Sequence, residues 1–110
     1  MSGLVVENVR LSDTHTVVIV AKTQAETTVP FAIRAHIAYT FICGELAGSE
    51  EVAVEVYDPS VEDFVQLYDD GDAVKFASGH HKINFEKESM LIRFVKSITS
   101  GNVGLSAFYA

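Results

Sequence analysis

The stretch from Val29 to Cys43 constrains this chain more than any other. Val29, Phe31, Ile33, Ala35, Ile37, Tyr39, Phe41 and Cys43 alternate with Pro30, Ala32, Arg34, His36, Ala38, Thr40 and Ile42. Successive side chains of a strand point to opposite faces, so this period gives one apolar face and one mixed face. Fifteen residues exceed the usual strand length of about 3–10. Either the run bends from one sheet into another, or its ends extend past the domain. In the second case the run offers a free edge for pairing between chains, with Arg34 on its mixed face.

The rest of the chain reads in the same way. Leu4 to Val9 is short, apolar and β-branched. His15 to Ala21 holds the consecutive β-branched residues Val17 to Val20, which suit a sheet better than a helix and fit a strand buried on both faces. Glu51 to Tyr57 sets Val52, Val54 and Val56 on one side. Lys82 to Phe85 is a short strand. Met90 to Lys96 sets Ile92, Phe94 and Lys96 against Leu91, Arg93 and Val95, and Val103 to Tyr109 closes the chain. Ser100-Gly101-Asn102 reads as a hairpin turn between the last two. The segment 59–68 has two readings. Asp58-Pro59-Ser60 can cap a helix with Val61, Phe64, Val65 and Tyr68 at helical spacing, or form a turn before a strand ending at Asp70-Gly71. The surrounding β pattern favours the strand. Gly44, Gly48, Gly71, Gly79 and Gly101 punctuate these runs at short intervals. The expected architecture is all-β: one antiparallel β-sandwich domain over 1–110, jelly-roll-like, of about eight strands.

Composition narrows the function. Eight Lys and Arg face 15 Asp and Glu, a net charge of -7, and the basic residues are scattered. A nucleic-acid binder needs a basic patch to displace counterions from phosphates, so neither nucleic acid nor anionic lipid is an expected partner. Mean hydropathy is +0.22, apolar for so small a domain, which hints that some surface is covered by another chain. One cysteine, Cys43, precludes an internal disulfide, and its place at the end of an apolar run makes it a small buried hydrophobe rather than a catalytic thiol. Met1-Ser2-Gly3 lacks positive charge and Leu4 to Val6 is too short for the apolar part of a secretion signal, so a soluble cytoplasmic product is expected.

No familiar catalytic motif is present: no G-x-S-x-G, P-loop, G-x-G-x-x-G or H-E-x-x-H. His80 and His81 are adjacent and on a strand would point to opposite faces, which suits solvated turn histidines better than a shared metal; His15 and His36 lie far off in sequence. Asp69-Asp70-Gly71-Asp72 is an acidic turn without the ligand spacing of a calcium loop, since position 77 is Ala. A looser calcium site would recruit Asp58 or Asp63. The acid pairs Glu50-Glu51 and Glu62-Asp63 read as charged surface rather than a glycosidase dyad. Ser12, Ser49, Ser60 and Ser100 stand in turn-like settings. Tyr57, Phe64 and Tyr68 flank one loop, where core packing is the simpler reading and sugar stacking the sharper one. No catalytic, metal or cofactor residue is therefore assigned, and no enzymatic activity is expected.

From Glu51 to Tyr109 the sequence runs VAVEVYDPSVEDFVQLYDDGDAVKF, then INF, then SMLIRFVKSITSGNVGLSAFY. This half resembles the small β-sandwich virion proteins of tailed bacteriophages: head decoration, head-fibre, adaptor and tail-associated modules. Many of those carry Trp where Phe64 stands here. The resemblance implies a non-enzymatic structural protein of a virion, assembled in the host cytoplasm. It also implies a homo-oligomer, trimer favoured, bound to a capsid or tail protein, with no cofactor. The alternative reading is a small β-sandwich binding module for carbohydrate.

Overall fold

The structure, a computed structural model, describes residues 15–86 and 88–109. The predicted strand over 4–9 and Ser12 lie outside them. The described residues form twelve strands: β1 (His15–Lys22), β2 (Glu26–Thr27), β3 (Phe31–Ile33), β4 (Tyr39–Cys43), β5 (Val52–Asp58), β6 (Asp63–Gln66), β7 (Tyr68–Asp69), β8 (Asp72–Ala73), β9 (Lys75–Phe76), β10 (Lys82–Phe85), β11 (Met90–Lys96) and β12 (Val103–Tyr109). One sheet has the order β1-β12-β4-β10. In the other, β11 is flanked by β2 and β3 on one side and β5 on the other, and β5 is flanked in turn by β6 and β9. All pairings between these strands are antiparallel.

Twelve segments occupy eight strand positions. β2 and β3 share one position and β6 and β9 another, with β7–β8 an extra hairpin, so the chain winds a β-sandwich of jelly-roll type. The chain changes layer at most connections.

The Val29–Cys43 run bends between the two sheets, the first of the two sequence-based alternatives. β3 pairs with β11 in one sheet and β4 with β12 and β10 in the other. Residues 34–38 make the crossing, with Ile37 N–H donating to Arg34 O at 3.1 Å and Arg34 N–H donating to Tyr39 Oη at 3.2 Å. The run therefore supplies no long free edge: β4 is interior to its sheet, and Arg34 sits on an exposed turn. The apolar phase survives the bend, since Ile33, Tyr39, Phe41 and Cys43 are all buried, whereas Val29 is 82% exposed.

Two further expectations are corrected. Ser100-Gly101-Asn102 is no hairpin turn, because β11 and β12 lie in different sheets. The connection first extends the β11–β5 ladder, with Ser97 N–H on Glu51 O (3.0 Å), and then reaches the end of β1, with Thr99 N–H on Thr23 O (2.9 Å). β1 is not buried on both faces. Among the described residues it is an outer strand paired with β12 alone, and within Val17 to Val20 Ile19 is buried while Val17 and Val20 stand in solvent. Within 59–68 the structure has strand rather than helix, as the context indicates: a turn over 59–62 leads into β6, and β7 follows after Leu67.

The core forms where the inward phases meet. Phe41 stands at its centre, with ring centroids 5.4 Å from Phe31, 5.7 Å from Phe85 and 5.1 Å from Phe94. Tilted and edge-to-face contacts of this kind let aromatic rings fill the space between sheets that no Trp occupies here. Lys96 shares the inward phase of β11 and is 1% exposed. Its ammonium donates to Gln24 O (2.7 Å), Ser97 O (3.1 Å) and Thr99 Oγ1 (3.1 Å). Its burial thus ties the two loops at this end of the sandwich, and burial lowers its pKa, with the Lys22 charge adding to the effect.

Candidate functional site

The β7–β8 hairpin is extruded from the strand position shared by β6 and β9. Leu67 N–H donates to Val54 O, Val54 N–H to Val74 O and Val74 N–H to Leu67 O, which closes the hairpin neck directly opposite Val54. The Gln66 side-chain amide donates to all three of those carbonyls, Val54 O at 3.0 Å, Leu67 O at 2.8 Å and Val74 O at 3.1 Å. The hairpin tip is Asp70-Gly71, both at positive φ (56° and 89°). That is the backbone a tight two-residue hairpin demands, and the reason Asp-Gly is favoured there.

The hairpin stands over the open edge of β10 and encloses two adjoining clefts. One, of about 500 Å³, is lined by Asp69, Asp72, Lys75, His80, Lys82 and Asn84 among others. The other, of about 270 Å³, is lined by Leu67, Tyr68, Ile83, Phe85, Glu88 and Met90 together with shared residues. The first is charged with both signs, and the second sets Leu67, Ile83, Phe85 and Met90 beside the acids Asp69 and Glu88. This is where the structure gathers the sequence candidates most densely: two acids of the Asp69–Asp72 turn, and His80.

The other candidates are dispersed. His80 closes a small turn, its N–H donating to Ala77 O and its O accepting from Ala77 N–H, while His81 O accepts from Cys43 N–H. His15 stacks on Phe108 at 5.2 Å, and His36 is exposed on the β3–β4 turn. Among the described residues no group of three or more His, Cys, Asp or Glu is placed to hold a metal ion. Asp58 and Asp63 face each other at the far end of the β5–β6 pair, four residues along β5 from the hairpin neck, so they do not join the acidic turn. Asp58 Oδ1 instead accepts from Ser60 N–H (2.9 Å) and Ser60 Oγ–H (2.7 Å), which lowers its pKa.

The acid pairs are also engaged. Glu50 accepts from Ala47 N–H (2.9 Å) and Ser100 N–H (2.8 Å), and these bonds hold its carboxyl below the usual range. Glu51 pairs with Lys75 at 2.9 Å, and Asp63 accepts from Phe64 N–H at 2.8 Å. Cys43 is buried within β4, and desolvation raises its thiol to about 11.

Tyr57 and Phe64 are brought together on the outer face of their sheet, directly paired in register and edge-to-face at 5.5 Å. They are surface residues rather than core. Arg93 lies 4.4 Å over the Phe64 ring and also pairs with Glu55 at 2.7 Å, so one face of that ring is already covered. Tyr68 stands apart on the hairpin, 62% exposed. Sequence reasoning missed Gln66 and the cleft, because both exist only once the hairpin leaves the sheet.

No protein-family model matches this sequence, and no curated protein matches it. Among solved structures, the chain is similar to the crystal structure of YomS, a protein derived from the SPBc2 prophage. The TM-score is 0.64 at 13% sequence identity, with 88% of this chain and 92% of that one covered. At that identity the likeness is one of fold.

Proposed function

We propose that this chain is a non-enzymatic structural protein of a bacteriophage virion. It would act as a capsid decoration or head/tail accessory protein, through self-association and contacts with other virion proteins. The observation that carries this reading is the fold shared almost end to end with a prophage-derived protein. The cadence of residues 51–109 supports it independently. The chemistry of the surface is in keeping: the carboxylates of Glu50, Asp58 and Asp63 cap turns, and the thiol of Cys43 is in the core. A surface-acting protein needs extended complementary faces rather than a catalytic constellation.

The test is to band particles by density and quantify the protein by mass spectrometry across the gradient. The expected result is a fixed ratio to the other virion proteins through the particle peak. Protein that stays in the soluble fraction while the particles band overturns the reading. The exposed Tyr57 beside Phe64 favours carbohydrate binding as a second reading. A glycan-array signal lost on Tyr57→Ala, with folding intact, supports that alternative.

A further inference from the structure

Open sheets must protect their edges, because an unpaired strand is a template for another chain. This sandwich has four edges, and among the described residues three are guarded. The β2/β3 edge is interrupted at 28–30 by a buried Thr28 and by Pro30, which has no N–H to offer. The β6 edge is four residues long and stands among Glu62 and Asp63. The β10 edge is also four residues long and faces the β7–β8 hairpin across the cleft. The fourth edge, β1, is eight residues long and, among the described residues, pairs on one side only, with β12. Two register shifts kink it, but its ionisable side chains, His15 and Lys22, stand only at its two ends, and Thr16 to Ala21 contains none. Val17 is 54% and Val20 72% exposed along it. Beside it a groove of about 280 Å³ opens between the sheets, lined by Val17, Val18, Val29, Pro30 and Phe31, with Val29 82% exposed. The acid there, Glu26, is neutralised by its ion pair with Lys22.

We infer that the β1 edge, with the Val17–Val29 groove, is the contact through which two copies of this chain pair, β1 against β1 about a two-fold axis. Charge selects the occupant. On a chain of net charge -7, contacts between like copies through the Asp69–Asp72 hairpin or the β6 edge oppose acid to acid. The β1 edge presents no such repulsion to its own image. A two-fold contact also requires only one surface, which is then self-complementary. Area agrees. Eight residues at ~3.4 Å give a strip ~27 Å long, and two layers ~10 Å apart make it ~20 Å deep. Two such strips bury roughly 1,000 Å², the lower bound for a specific interface, so the dimer is expected to be a weak, concentration-dependent one. Pairing would join the two β1-β12-β4-β10 sheets into one sheet of eight strands. The inference names the surface behind the self-association proposed above, and specifies pairs where the phage resemblance favours trimers.

The test is light scattering on a sizing column, with the full chain at several concentrations, alongside Val20→Lys. Val20 is solvent-exposed, so the variant is expected to melt as the wild type does at low concentration. The expected result is a mass approaching twice 12.0 kDa for the wild type as concentration rises. The Kd should be raised about tenfold or more in Val20→Lys, where two lysines face an apolar strip. A wild-type dimer or trimer whose mass is unchanged by Val20→Lys overturns the inference, because another face then mediates association. So does a wild-type monomer at every concentration. If Val20→Lys then also lowers the melting temperature of that monomer, the edge is covered within the chain rather than by a second copy. Co-banding with particles is independent of all these outcomes, so failure here leaves the virion reading standing, and failure there leaves this contact standing.

Discussion

Gly104 is the residue on which the attachment of β1 turns. It lies near the start of β12, where β1 kinks between Ile19 and Lys22. A Cβ on Gly104 would meet Ile19 O at 2.9 Å, Ala21 N at 3.0 Å and Ala21 Cα at 3.1 Å. All three are backbone atoms roughly half an ångström inside the ~3.5 Å optimum, so no side-chain rotation relieves them. Gly104→Ala must push β1 away from β12. Overpacking of this kind costs about 1–3 kcal/mol, and backbone neighbours place it in the upper half of that range. Lost freedom in the unfolded chain returns about 0.4–1 kcal/mol. The net destabilisation is about 1–2.5 kcal/mol, or about 5–20 °C in melting temperature. Gly101→Ala is the internal control: a Cβ there meets nothing within 4 Å, and its φ is not in the left-handed region. That variant should be neutral or stabilised by about 0.4–1 kcal/mol. Thermal and urea melts followed by circular dichroism measure both, and hydrogen exchange should find the loss concentrated in β1. Gly104→Ala as stable as Gly101→Ala would refute the reasoning, since the kinked strand would then have room to give.

Three further outcomes follow from the same contacts. Lys96→Met removes the donor for Gln24 O, Ser97 O and Thr99 Oγ1 and should cost about 1–3 kcal/mol in urea melts, with the 97–102 connection the first region to lose exchange protection. Glu50 has a folded pKa below its unfolded one, so its contribution is present above the usual carboxylate range and is lost as pH falls through the lowered value; Glu50→Gln should flatten that part of the acid melting profile relative to wild type. Cys43, raised to about 11, should resist alkylation at pH 8, where about one thiol in a thousand is ionised, and should react at least ~100-fold faster in urea; equal rates would mean that β4 opens readily.

Much of the fold was legible in the sequence because its strands obey a two-residue period wherever one face is buried. Val52 and Val54, Ile92 and Phe94, and Val103, Leu105 and Ala107 are buried as their alternation requires. The same phase rule put Lys96 on the inward side of β11, although a lysine alone would suggest surface. The Asp70-Gly71 turn was legible because only certain residues accept two successive positive φ values.

Local pattern carries no information about which strand lies beside which. It therefore could not show that Val29–Cys43 changes sheets at 34–38, that Ser100–Asn102 joins two layers, or that β1 is left at an edge with Val17 and Val20 outside. Those outcomes depend on long-range pairing, which the run of β-branched residues in β1 permits but does not choose. The cleft under the β7–β8 hairpin is of the same kind. The residues of the hairpin fix its turn, but only the packing of its neck on Val54 and Gln66 brings it over β10. The sequence by itself determined an acidic, all-β chain with a phenylalanine-rich core. Tertiary structure decided which of its edges remained open, because an edge is defined by the strand that is not there.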